Sequence, residues 1–277
     1  MSKAFSAVQS GDQKGVLLVD ALNLSFRYKH KRQRNFAADY LRTIESIANS
    51  YGCGTIILCA DKGSSSYRKE IYPEYKQNRK DKFKDQTEEE KQEFLEFLED
   101  YEHALELASS SYPLLRFQGV EADDIISIIA QALRNKKVWI VSSDKDLDQL
   151  VTPTVSRFSY ITRKEITAEN FEDTYGCTPQ EYISIKVLQG DAGDNVKGIE
   201  GIGPKRAASL IREYGSAMDI YDALPLSGKY KYIQALNESG DLILTNYQVM
   251  DLSFSREAVG EHYNAIMDLI KNELSLL

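Results

Sequence analysis

Three short apolar runs mark the first half of the chain: VLLVD at 16–20, TIILCAD at 55–61 and VWIVSSD at 138–144. Each is short, rich in β-branched residues and bounded by polar or turn residues, the pattern of a buried strand. Helical periodicity occupies 36–50 after the first run and 121–134 before the third. Strands alternating with helices predict an α/β core with a mainly parallel sheet flanked by helices. In such sheets ligands gather outside the carboxyl ends of the strands. The three runs end in Asp20, Asp61 and Asp144, so strand polarity alone places three carboxylates along one edge.

Residues 62–86 break the pattern: they are polar, basic and aromatic, with Pro73 inside, and no core strand fits there. Residues 87–108 then predict a helix with Phe94, Leu95, Leu98, Tyr101 and Leu105 as its apolar positions and Thr87 with Glu90 as a candidate capping box. Together, 62–108 form a long insertion above the carboxylate edge. Beyond about 165 the chain turns helical, over 167–190, 204–214, 219–224, 229–238 and 240–249. The expected division is an α/β core at 14–166 and a helical region at 167–277.

Composition adds three points. With 277 residues, 42% of them hydrophobic, the chain can bury a real core. No apolar run approaches the roughly 20 residues of a membrane helix, and the opening MSKAFSAVQSGDQKG lacks the apolar stretch of a secretion signal. A soluble cytoplasmic monomer is expected. Cys53, Cys59 and Cys177 have no metal-ligand spacing and are expected to be buried free thiols. The net charge of −8 argues against nucleic acid until its distribution is examined. Residues 27–34 hold five Lys or Arg and no acid; 62–84 hold eight against three acids; 85–106 hold ten acids against one Lys. Such segregation suits a phosphate-binding face beside acidic regions with another purpose.

That purpose lies in nine acids: Asp20, Asp61, Glu121, Asp123, Asp124, Asp144, Asp146, Asp191 and Asp194. Any one has an ordinary explanation, such as the preference of acids for a helix's first turn. Several, however, stand in or beside apolar segments, where unpaired carboxylates repel and desolvate at a cost. Divalent cations relieve both problems, and oxygen-only ligands suit Mg²⁺ or Mn²⁺ rather than zinc. Two ions at about 3.5–4 Å could act on one phosphate. In GIEGIGPKRAASLI (198–211), Gly198, Gly201 and Gly203 permit close backbone approach, and Pro204 begins a helix with Lys205 and Arg206 in its first turn. Backbone N–H groups plus two cations make a phosphate site of the helix–hairpin–helix kind. In YPEYKQNR (72–79), aromatics interleave with cations as single-stranded nucleic acid requires.

VDALNLSFR (19–27), ADKGSSSYRKEIYPEYKQNR (60–79), GVEADD (119–124), SSDKDLDQL (142–150) and LQGDAGDNVKGIEGIGPKRA (188–207), in this order, resemble the 5′-nuclease family: bacteriophage flap endonucleases and the 5′-nuclease domain of bacterial DNA polymerase I. Ala21 departs from the glycine usual there, without touching a ligand. The resemblance implies a PIN-like core, a helical arch built from 62–108, and a helix–hairpin–helix-like element over 185–214. It further implies that Asp20, Asp61, Glu121, Asp123 and Asp144 hold a first metal. Asp146, Asp191 and Asp194 hold or support a second, Asp144 lies near both, and Asp124 stands behind the ligands, outside direct coordination. Lys76 and Arg79 meet the scissile phosphate, Tyr75 stacks on a nucleobase and Arg27 contacts DNA. Gly201, Gly203, Lys205 and Arg206 grip the duplex, with a K⁺ ion at that turn. The expected activity is two-metal hydrolysis of 5′-flap and 5′-ended duplex DNA, RNA–DNA hybrids included, leaving a 5′-phosphate and a 3′-hydroxyl, with 5′→3′ exonuclease action and primer removal in replication. A PIN-type ribonuclease and a non-catalytic DNA-junction binder are the rival expectations.

Overall fold

The computed structural model describes residues 14–274; the secretion-signal reading of the first residues falls mostly on 1–13, outside them. Six strands form one sheet in the order β3-β2-β1-β4-β5-β6. The central strand β1 (Gly15–Asp20) is buried along its whole length. It pairs in parallel with β2 (Cys53–Cys59) and β4 (Val138–Val141). Burial on both faces explains continuous apolar runs where half-exposed strands would alternate. β3 (Leu114–Leu115) and β5 (Val155–Ser159) extend the sheet in parallel, and β6 (Lys164–Ile166) closes one edge antiparallel.

Side-chain alternation assigns the two faces. Val16, Leu18, Ile57, Val138 and Ile140 pack with Ile125, Ile126 and Ile129 of α6 (Ala122–Ala132) and Ile266 and Ile270 of α14 (Tyr263–Leu274). Leu17, Val19, Leu58, Trp139 and Val141 pack with α1 (Ala21–His30), α2 (Ala37–Tyr51) and α5 (Glu88–Ser109). A second core around Val187, Leu210, Ile211, Ile220, Leu236 and Ile243 joins α8 (Pro179–Gln189), α9 (Pro204–Tyr214), α10 (Ala217–Ala223), α11 (Lys231–Asn237) and α12 (Gly240–Met250).

The structure corrects several sequence expectations. β2 stops at Cys59 and β4 at Val141, so Asp61 and Asp144 lie on the loops just beyond the strands. The insertion carries two short helices, α3 (Ser66–Ile71) and α4 (Gln77–Lys84), before α5. The Thr87–Glu90 capping box is present, but the buried face of α5 runs through Phe97, Tyr101, Ala104 and Leu105, leaving Leu95 exposed. The predicted helix 167–190 is two: α7 (Phe171–Tyr175) ends on left-handed Gly176, and Thr178 caps α8 afresh. β3, β5, β6, α1, α14 and the short α13 (Ser255–Val259) come in addition to the elements expected from the sequence. The three cysteines are buried and free. No helix among the described residues is long and apolar enough to cross a membrane.

Candidate metal centre and nucleic-acid interface

In-register pairing of Val19 with both Leu58 and Val141 brings the ends of β1, β2 and β4 level. Asp20 caps α1, accepting from the Asn23 N–H at 3.2 Å, while its other oxygen accepts from Ser142 Oγ at 2.7 Å. Asp61 reaches the start of α6, accepting from the Ala122 N–H at 2.6 Å. Asp144 accepts from the Asp146 N–H at 2.9 Å, so these two acids share one tight turn.

Four more acids converge with Asp146 from distant segments. A cavity of about 20 Å³ is lined by Glu121, Asp123, Asp146, Asp191 and Asp194, with Arg68 and Tyr75. Among the described residues no three acidic, His or Cys side chains form a ready-made coordination group. Instead, cations stand between them. Lys76 Nζ lies 2.8 Å from Glu121 and 3.6 Å from Asp194, Arg79 donates to Asp194 at 2.6 Å, and Lys186 bridges Asp146 and Asp191.

The arch base is stitched to the last two acids. The Lys76 N–H donates to Asp194 O at 2.9 Å, Asn78 Nδ2 to Ala192 O at 2.9 Å, and Asn195 Nδ2 to Glu74 O at 2.8 Å. The second acidic loop therefore depends on a contact over a hundred residues distant in sequence.

The electrostatics separate two groups. Burial, then the neighbouring Asp61 and Asp144, push Asp20 up to about 7. Burial, reinforced by Asp144 and Asp20, pushes Asp123 well above the carboxylate range, and burial raises Asp61 as well. Asp146 is pushed up to about 6 by burial, against the pull of Lys186. For Glu121 and Asp191 burial is outweighed, by Lys76 and Arg68 in the first case and Lys186 in the second, and both sit below the usual range. Buried, mutually repelling carboxylates with oxygen-only donors fit hard divalent cations.

A pH dependence follows. The raised group binds more protons folded than unfolded between the ordinary carboxyl value of about 4 and about 7. Its contribution to stability therefore falls as pH rises through that window. Glu121 and Asp191 act oppositely, but theirs is complete above about 4. The metal-free protein is expected to melt lower at pH 8 than at pH 5.5, and Asp123→Asn to shrink that difference. Equal melting temperatures in EDTA at both pH values would contradict this account.

Asp124 is fully buried and held by both terminal nitrogens of Arg68, at 2.6 and 2.9 Å, and by Ser255 Oγ at 3.0 Å; it stands behind the cavity, joined to Glu121 through Arg68, which also donates to that carboxylate at 3.3 Å. One expected role does not match the structure. Tyr75 is 4% exposed, its hydroxyl donating to Glu121 and Asp194, each at 3.0 Å, so its ring is not presented for stacking. Arg68, Lys186 and Asn78 were missed. A lysine within the apolar run YISIKVL was the one available signal, because a charge there needs a buried partner.

The glycine hairpin lies on the second core. A Cβ on Gly198 would sit 1.8 Å from Gln189 O, and Gly201 has φ +75°, so both positions require glycine. Pro204 opens α9, Lys205 is exposed, and nothing stands within 4 Å of a side chain at Gly203. Arg206 donates to Gly201 O at 2.6 Å and lies over Tyr232 at 4.8 Å, bracing the turn. Arg27, near the end of α1, stands apart from the acids, its guanidinium on Thr43 and over Tyr160.

Comparison with known proteins fits this geometry. Residues 15–176 match the family described as 5′-3′ exonuclease, N-terminal resolvase-like domain, and 177–262 match 5′-3′ exonuclease, C-terminal SAM fold. The flap endonuclease of Escherichia phage T5 is 42% identical over 251 residues, 88% of this chain and 85% of that protein. The 5′-3′ exonuclease of Bacillus subtilis is 30% identical over 233 residues, 77% of this chain and 75% of that protein. The crystal structure of a bacteriophage T5 flap endonuclease pseudo-enzyme–product complex with DNA and metal ions superposes with a TM-score of 0.91 at 40% identity, covering 94% of this chain and 99% of that one.

Proposed function

The chain belongs to the 5′-3′ exonuclease family, and from that premise we propose that it hydrolyses phosphodiester bonds in 5′-flap and 5′-ended duplex DNA with two Mg²⁺ ions. The observation that carries this reading is the single cavity onto which Glu121, Asp123, Asp146, Asp191 and Asp194 open, beside the cations of the arch base. Asp20, Asp61, Glu121, Asp123 and Asp144 hold one ion; Asp146, Asp191 and Asp194 hold or support the other. A bound pair of such ions supplies Lewis-acid stabilisation of the scissile phosphate and acidifies the attacking water.

The chain's own residues supply the rest. Lys76 and Arg79 neutralise the phosphate as it enters, exchanging carboxylate partners for phosphate oxygens. The arch formed by α4 and α5 takes the unpaired 5′ strand, while Gly201, Gly203 and Lys205 hold the duplex, with Arg206 bracing the turn. Backbone carbonyls of the 198–203 turn would hold a K⁺ ion. The role is 5′-end processing and primer removal during replication, in the host cytoplasm if the chain is phage-encoded.

The test is cleavage of a 5′-flap duplex, labelled at the flap end, with Mg²⁺ and with EDTA. Metal-dependent release of a fragment cut near the junction is expected. A flap that is bound but uncut in Mg²⁺ and Mn²⁺, or preferential cutting of matched single-stranded RNA, overturns the proposal. Lys205→Ala is expected to weaken duplex binding and lower the salt slope by about one phosphate contact. An unchanged slope in a salt titration would remove Lys205 from the interface.

A further inference from the structure

A second cavity, of about 590 Å³, opens between α1, α2 and the β5–β6 hairpin. Arg27, Arg42 and Arg163 line it together with Tyr51, Phe158 and Tyr160. Two of its guanidiniums converge on one ring, Arg27 at 4.1 Å and Arg163 at 4.9 Å from the Tyr160 centroid. Neither has a carboxylate within 4 Å among the described residues. Arg27 donates one terminal N–H to Thr43 at 2.9 Å, while its Nε is buried with no hydrogen-bond partner. The two guanidiniums are thus left without an anionic partner, and a ligand in the cavity would bring that acceptor to their accessible nitrogens.

The acids lining the cavity do not supply that acceptor. Asp39 is engaged by Gln33 and Arg42, and Glu165 accepts from Tyr51 at 2.7 Å. Arg163 is held in place at φ +59°, a backbone conformation that glycine would adopt at lower cost. The volume suits one small ligand with an anionic group and a flat ring. The cavity also adjoins the metal centre through the chain: Ser143, next to Asp144, bonds Ser159 at 3.0 Å, and Tyr160 follows.

We infer that this cavity binds one nucleotide unit, its phosphate on Arg27 and Arg163 and its ring against the aromatic wall. The inference rests on the DNA-cleaving reading for its biological source, since the unit belongs either to a substrate strand near the cut or to released mononucleotide.

The experiment has two arms. In EDTA, binding of deoxyadenosine 5′-monophosphate is followed by chemical-shift changes in wild type, Arg163→Ala, Arg163→Lys and Lys76→Ala proteins. The expected result is binding weakened about tenfold by Arg163→Ala, largely restored by Arg163→Lys and unaffected by Lys76→Ala. In the second arm, single methylphosphonates are walked along each strand of the flap duplex. If the source is the substrate, one position weakens wild-type binding about fivefold, and that loss disappears in Arg163→Ala. Coupling at one position assigns the site to a DNA strand; mononucleotide binding without coupling assigns it to released product. Absence of both overturns the inference, even where flap cleavage is intact. A wild-type protein that cuts no flap yet binds the mononucleotide through Arg163 refutes the proposed function and leaves this site standing.

Discussion

Asp146→Ala is expected to slow Mg²⁺-dependent flap cleavage by at least about 10²–10³-fold, a loss of the size seen when one electrostatic contact to a reacting phosphate or oxyanion is removed. Flap binding should persist, because the 198–206 hairpin proposed to grip the duplex lies on a separate core. Asp146 faces the shared cavity and ties it to Asp144 by a 2.9 Å bond from its own N–H, which the alanine retains. The loss is therefore one of charge rather than of loop geometry. A further consequence separates function from folding. Burial holds the Asp146 carboxyl up at about 6, so its charged form opposes folding. The variant should accordingly melt no lower than wild type at pH 8 in EDTA, a trade of stability against activity. Single-turnover cleavage with saturating enzyme, beside anisotropy binding in Ca²⁺, measures both. Cleavage within tenfold of wild type would eliminate the second metal assignment.

Arg68→Ala should be the most destabilising single change at the site, by about 3–5 kcal/mol and on the order of 10 °C in melting temperature. Arg68 is 4% exposed and spends its donors on Asp124, Glu121, Ser65 and the Val249 carbonyl. Its removal strands Asp124, which is 0% exposed, with only Ser255 as partner. It also cuts the link between α3 at the arch base and the end of α12. Arg68→Met combined with Asp124→Leu should recover most of the loss, since an apolar pair of similar volume avoids the stranded charge. Calorimetry of the three proteins is the check. A single variant melting within 2–3 °C of wild type, by the same scale, would show that the ion pair contributes little.

Much of the core was legible because its physics is local. A run such as VLLVD is buried on both faces, so it shows as unbroken apolarity, and its polarity aims Asp20 at the functional edge. Pro204 and the Thr87–Glu90 box sit where backbone geometry asks for them. The break at Gly176 inside 167–190 was harder to see, because apolar residues resume almost at once in α8. β5 escaped notice because its sequence, VSRFS, places a buried arginine in a strand, and Arg157 is tolerable there through its pairing with Asp148 and its 2.9 Å bond to the Ser142 carbonyl.

By itself, then, the sequence determined the parallel core, the identity of the acids and the glycine hairpin, since strand period, carboxylate chemistry and positive φ are properties of neighbouring residues. Tertiary structure alone decided which acids share a cavity and which does not. Asp123 and Asp124 are adjacent in the chain, yet a helix turns successive side chains by about 100°. One faces the cavity and the other meets Arg68, fifty-six residues away. Likewise, the partners that ring Tyr75 and leave Arg27 Nε unpaired come from segments distant in sequence, and only packing brings them together.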